Sequence, residues 1–133
     1  MTPAQQVLVE TSFAEVAPIA DQAAIIFYDD LFMRDPSLRR LFPDDMTEQR
    51  RKLMQMLATA VANLRTWDRI AAAVKALGAR HVGYGVQPAH YDAVGASLIA
   101  TLEQGLGPAF TPEVREAWIA CYSAVSAEML AVS

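Results

Sequence analysis

The sequence has little of what several classes of protein require. Its single cysteine, Cys121, excludes an internal disulfide and a cysteine-based metal cluster, so we expect a cytoplasmic protein. Only 11 Lys and Arg residues stand against 15 Asp and Glu residues, and this net charge of -4 argues against general binding to nucleic acid or acidic lipid. Charged residues interrupt every long apolar stretch, so we expect no membrane span, which needs roughly 20 apolar residues, and the start of the chain does not resemble a signal peptide.

The same composition favours one folded, helical domain over 1–133. The chain is 53% hydrophobic, contains 6 glycines, and has few β-branched runs bounded by turn residues. We therefore expect an all-α fold. The predicted helices run from about Ala4 to Ala17, from Pro18 to Arg34, in a short turn from Pro36 to Phe42, from Thr47 to Leu64, from about Thr66 to the Gly83–Gly85 break, from Pro88 to about Gly105, and from Pro112 onward.

Three polar side chains lie on apolar helix stripes, where an unpaired polar group costs free energy. His81 continues the helical series through Val74 and Leu77, and it is either an axial metal ligand or a core histidine bonded to a backbone carbonyl. Gln49 lies four residues before Leu53 on an inward stripe, or is simply a glutamine at the boundary of a first turn.

Tyr28 completes this group, because its neighbours Phe27 and Leu31 predict a buried ring whose hydroxyl needs a partner. A core tyrosine would show the same pattern. One arrangement accounts for all three polar residues together: a buried, metal-bearing cofactor with His81 below it and Tyr28 and Gln49 above it.

Other kinds of site fit the sequence less well. A zinc site lacks ligands, because His90 is the only other histidine. Most acidic residues fall in predicted loops or on polar faces, which disfavours two-carboxylate metal chemistry. Cys121 lies on an apolar stripe, where a thiol behaves as a small hydrophobe rather than a nucleophile. Phosphate-binding and dinucleotide-binding glycine motifs are absent.

The order and spacing of six segments resemble bacterial single-domain haemoglobins of the flavohaemoglobin-like globin family along essentially the whole chain. These segments are Phe27 to Phe32, Asp35-Pro36 with Leu41-Phe42, Gln49 with Lys52 to Met54, Leu77 to His81 with Gly85-Val86, Pro88 to Tyr91 with Val94-Gly95, and Trp118 with Tyr122. The resemblance implies a globin fold, a three-over-three helical sandwich around haem b.

The resemblance also implies the roles of individual residues. His81 matches the proximal iron ligand, Phe42 the aromatic packed on the haem, and Tyr28 and Gln49 the distal pair that acts on the bound gas. Further cofactor contacts implied by the resemblance are the distal apolar Leu53, the propionate partners Lys52 and Arg80, the proximal Tyr91, and Leu57, Leu77, Val86 and Val94.

One departure from the family pattern bears on the chemistry. A glutamate is expected beside the proximal histidine fifteen residues past Trp118, and this sequence has Ser133 there. Its absence argues against a strong electron push on the iron and so against peroxide-type O–O cleavage.

The implied function is reversible binding of O2, CO and NO at a five-coordinate haem iron. Conversion of O2 and NO to nitrate would require a separate flavin reductase as electron donor. The alternatives are a gas-sensing or O2-storage globin acting through a partner, and a helical interaction module without haem. We expect a monomer or a homodimer.

Overall fold

A computed structural model describes residues 1–66, 74–77, 79–80 and 89–130. Throughout these residues the regular structure is helical, which confirms the predicted all-α class. The α-helices are α1 Pro3–Val16, α2 Ala20–Arg34, α3 Thr47–Ala62, α4 His90–Leu106 and α5 Pro112–Leu130, with helical backbone also at 74–77 and 79–80. Short 3-10 helices lie at Ala17–Ile19, Pro36–Leu41, Leu64–Thr66 and Gly107–Ala109.

Local sequence signals set several of these helix ends. At the start of α1, the Thr2 hydroxyl accepts a hydrogen bond from the Gln5 amide, and the Gln5 side chain accepts one from the Thr2 amide. Pro112 opens α5 as predicted, and the Thr111 hydroxyl accepts from the Val114 amide at 3.2 Å. Gly107, which ends α4, has a φ of 55°, a backbone conformation that residues other than glycine rarely adopt.

Three predicted boundaries differ from the structure. Pro18, which lacks an amide proton, lies inside the 3-10 turn Ala17–Ile19, and α2 begins only at Ala20. Helix α3 ends at Ala62 rather than Leu64, because the chain tightens into the 3-10 turn Leu64–Thr66. Helix α4 begins at His90 rather than Pro88. Most of the helix predicted from about Thr66 to the Gly83–Gly85 break lies outside the described residues. Its positions 74–77 and 79–80 are described and are helical.

The core lies between two main helix pairs. Helix α2 packs most extensively on α4, and α1 packs on α5, while α3 contacts both α1 and α2. Buried side chains come from all five helices and include Val9, Val16, Phe27, Leu31, Leu53, Val61, Leu98, Leu102 and Trp118. Trp118 is 1% exposed, and its indole N–H donates to the Ser12 hydroxyl at 2.9 Å. This hydrogen bond ties α5 to α1.

Among the described residues, no helix is both long enough and apolar enough to cross a membrane.

Candidate functional site

Tyr28 and Gln49, predicted from separate helix stripes, meet in the structure. Tyr28 lies on α2 and is buried, and Gln49 lies in the first turns of α3 and is half-buried. The Gln49 side-chain amide donates to the Tyr28 hydroxyl oxygen at 3.2 Å. An amide that donates to a phenol oxygen leaves the phenol proton available to a third group. The pair therefore presents a hydrogen-bond donor that is itself supported by a second donor.

The Tyr28 phenol keeps its proton at neutral pH. Burial disfavours the charged phenolate and raises the pKa of Tyr28, while the hydrogen bond from Gln49 opposes this by a smaller amount. Because the pKa lies above its ordinary value, Tyr28 acts as a neutral donor over the physiological range.

Three aromatic rings form a triangle that fixes the position of Tyr28. The ring centroid of Tyr28 lies 5.6 Å from that of Phe42 and 5.9 Å from that of Phe32, and Phe32 and Phe42 are 5.5 Å apart. The ring of Phe27 also meets Tyr28 edge-on at 5.0 Å. Such tilted and edge-to-face contacts suit the charge distribution of aromatic rings. Phe42, predicted to lie against the cofactor, is thus a direct neighbour of the polar pair.

An apolar cavity adjoins the helices that carry this pair. Its volume is about 20 Å³, room for one molecule the size of water. Leu53 and Leu57 line it from α3, one helical turn apart, as the predicted inward stripe requires. The other lining residues are Phe13, Val16, Ala23, Phe27, Met54, Leu98, Thr101, Leu102 and Trp118. The only hydroxyl among them, that of Thr101, donates to the Ser97 carbonyl, so the wall is effectively apolar.

The remaining predicted site residues differ in how exposed they are to solvent. Lys52 and Arg80 are exposed. Leu77, Tyr91 and Val94 are half-buried. His81 and Val86 lie outside the described residues, so the metal ligand and one apolar contact stay predictions from the sequence.

Tyr91 lies in the first turn of α4 and is held by a residue of α5. The Tyr122 hydroxyl donates to the Tyr91 backbone carbonyl at 2.6 Å, and the Tyr122 ring lies directly over Gly95. Burial raises the pKa of Tyr91, so its phenol also stays neutral. This contact fixes the segment that carries Tyr91 and Val94.

The sequence analysis missed Arg39, whose guanidinium contacts the chain segment that follows the 3-10 helix Pro36–Leu41. In the sequence, Arg39 stands beside Arg40 and nothing distinguishes the two. It also missed Met54 and Phe13 in the cavity wall. Both are apolar residues on helices, a signal that indicates burial but not which cavity they line.

Comparison with known proteins identifies the family of the chain. The Globin family model matches residues 25–129. The chain is 32% identical over 105 residues to a flavohemoprotein of Bacillus subtilis, covering 75% of this chain and 26% of that protein. It is also 35% identical over 101 residues to flavohemoproteins of Vibrio cholerae and Rhizobium meliloti, covering 72% of this chain and 25% of each. The chain thus spans about a quarter of the length of these curated relatives. With an all-α fold and a family match over most of its length, the chain belongs to the globin family.

Proposed function

We propose that this chain binds haem b, with His81 as the iron ligand, and that it reversibly binds O2, CO and NO there. The observation that carries the proposal is the hydrogen bond of 3.2 Å that joins two neutral side chains, Gln49 and Tyr28, across α2 and α3. Membership in the globin family supports haem as the cofactor, and the flavohemoprotein relatives support the same choice. We treat 1–133 as a single globin domain.

The described residues fit a flat, largely apolar group with charged edges. Phe42, Met54, Leu57 and Val94 are half-buried and pack against the core, so each also has apolar surface that a bound group could cover. We assign haem contacts to Phe42, Leu53, Leu57, Leu77, Val86, Tyr91 and Val94. Lys52 and Arg80, both exposed cations, are proposed as partners of the two haem propionates.

Haem iron held by one neutral imidazole would supply an open coordination position for a diatomic gas. The protein's own residues then decide how long the gas stays. Tyr28 keeps its proton and would donate a hydrogen bond to a bound gas that carries partial negative charge, while Gln49 holds the phenol oxygen in place. Leu53 and Leu57, one and two helical turns beyond Gln49 on α3, would help to exclude water from the site. A neutral hydrogen bond contributes about 1 kcal/mol, enough to slow gas release about fivefold.

We extend the proposal to NO removal. One NO, one O2 and one electron together make one nitrate ion, and a separate flavin reductase is proposed as the electron donor. The name of the flavohemoprotein relatives, which joins a flavin to a haem, supports the choice of a flavin reductase as the partner.

The rate of O2 release, measured by stopped-flow on the haem-loaded, reduced protein, tests the proposal. Tyr28→Phe should release O2 about fivefold faster, because it removes one hydrogen bond of about 1 kcal/mol. Gln49→Leu should also accelerate release, by a smaller factor. Gln55→Leu is the matched control, because Gln55 lies on the same helix but is exposed. Equal rates in Tyr28→Phe and the unaltered protein would refute the role of Tyr28.

A further inference from the structure

The side chain of Arg39 forms hydrogen bonds to the backbone of Phe42 and of the two residues that follow it. The Arg39 Nη1 atom donates to the carbonyl oxygens of Phe42 at 3.2 Å and Pro43 at 2.9 Å, and Nη2 donates to that of Asp44 at 3.2 Å. The Phe42 amide in turn donates to the Arg39 carbonyl at 3.2 Å. Both backbone hydrogen-bonding groups of Phe42 are therefore bound to one residue.

The segment that Arg39 binds has no regular secondary structure. Residues 42–46 connect the 3-10 helix Pro36–Leu41 to α3 and are not helical, so the carbonyls of residues 42–44 lack the partners that a helix provides. A guanidinium is a rigid, planar fork of donors and can bind several carbonyls at once, whereas a lysine ammonium offers a point charge on a flexible stem. The path of the segment thus depends on the particular shape of the arginine side chain.

The same guanidinium contacts the aromatic triangle of Tyr28, Phe32 and Phe42. The Arg39 Cζ atom lies 5.3 Å from the ring centroid of Phe32, within the range of a cation–π interaction. Phe32 meets the rings of both Tyr28 and Phe42. Arg39 therefore constrains two corners of the triangle, Phe42 through its backbone and Phe32 through its ring, and the third corner is Tyr28.

We infer that Arg39 is a positioning residue for the Tyr28 hydroxyl, acting through Phe42 and Phe32. The inference rests on the proposed function, since it is the donation from Tyr28 to a bound gas that Arg39 would support. Without the guanidinium, the carbonyls of residues 42–44 turn toward water and the Phe42 ring loses its fixed place. The Tyr28 ring then has more freedom, and its hydroxyl spends less time in the donating geometry.

The variants Arg39→Gln and Arg39→Lys test this inference, with Arg40→Gln as the matched control. Arg40 carries the same charge at the next position and is exposed. Three quantities are measured on the haem-loaded protein: the O2 release rate, the Fe–CO stretching band in the resonance Raman spectrum, and hydrogen exchange of the Phe42 amide.

We expect Arg39→Gln to release O2 about twofold to fivefold faster, up to the loss of one neutral hydrogen bond. The Fe–CO band should broaden or shift toward that of Tyr28→Phe, and the Phe42 amide should exchange faster. Arg39→Lys should retain part of the wild-type behaviour, because a cation can still lie over Phe32. Arg40→Gln should match the unaltered protein in all three measurements.

Combining the substitutions separates a positioning role from general loosening of the fold. If Arg39 acts through Tyr28, Arg39→Gln should have no further effect on O2 release in a Tyr28→Phe background. An equal effect in both backgrounds would overturn the inference, as would Arg39→Gln behaving like Arg40→Gln. Failure of the proposed function looks different: Tyr28→Phe alone would then leave O2 release unchanged, or the chain would bind no haem.

Discussion

Gly95 and Gly105 offer a matched pair of substitutions within one helix, α4. A Cβ atom added at Gly95 would lie 2.8 Å from Tyr122 Cε2 and 3.1 Å from its Cδ2, closer than real contacts allow. A Cβ at Gly105 would meet only Ile19 Cδ1, at an ordinary 3.5 Å. Neither glycine has a positive φ, so backbone strain does not enter the comparison.

The expected free-energy changes have opposite signs. Replacing a helical glycine with alanine raises the free energy of unfolding by up to about 1 kcal/mol. Gly105→Ala should therefore stabilise the protein by a few tenths to about 1 kcal/mol. At Gly95 the ring of Tyr122 cannot withdraw freely, because its hydroxyl is bound to the Tyr91 carbonyl at 2.6 Å. Overpacking of this kind costs about 1–3 kcal/mol, and after the helix-propensity gain of about 1 kcal/mol Gly95→Ala should destabilise the protein by up to about 2 kcal/mol.

Equilibrium unfolding in urea, followed by far-ultraviolet circular dichroism at fixed haem loading, measures both changes. Constant haem loading is needed because a ligand that binds only the folded state adds to its stability. Introducing Gly95→Ala into a Tyr122→Leu background should remove most of its penalty, since the clashing ring is absent. If Gly95→Ala stabilised the protein as much as Gly105→Ala does, the packing argument would be refuted.

Two further predictions concern buried polar groups. Ser12→Ala removes the hydrogen-bond acceptor of the Trp118 indole N–H, and Trp118 is only 1% exposed, so water cannot replace it. The free energy of unfolding should fall by about 1–3 kcal/mol in the same urea assay. A loss below about 0.5 kcal/mol would contradict this. Burial raises the pKa of the Cys121 thiol to about 11, so at pH 8 iodoacetamide should leave the folded protein unmodified and react readily in urea. Equal reaction rates in the two states, measured by mass spectrometry, would contradict the burial of Cys121.

Features set by neighbouring residues could be predicted from the sequence. The starts of α5 and of the 3-10 helix Pro36–Leu41 follow from proline and a capping side chain, which act over a few residues. The inward direction of Tyr28 and Gln49 follows from helical spacing. Their hydrogen bond to each other could not be predicted, because the two residues are 21 positions apart and meet through packing of α2 on α3.

Other features depend on the path of the chain in space and left no local signal. The role of Arg39 depends on the direction that residues 42–44 take after the 3-10 helix. Ser12 lies between Val9 and Val16 on the buried face of α1, but its partner Trp118 is 106 residues away. The assignment of His81 as the iron ligand rests on helical spacing and on the family resemblance, and it stays a prediction.

The absorption spectrum of the haem-reconstituted protein tests the central claim most directly. It is recorded in the ferric, reduced and CO-exposed states for the unaltered chain and for His81→Ala. We expect a Soret band that shifts when CO is added to the reduced protein and that is lost or altered in His81→Ala. A chain that shows no Soret band after reconstitution with haem would contradict the proposal that this globin binds its gas ligands at haem.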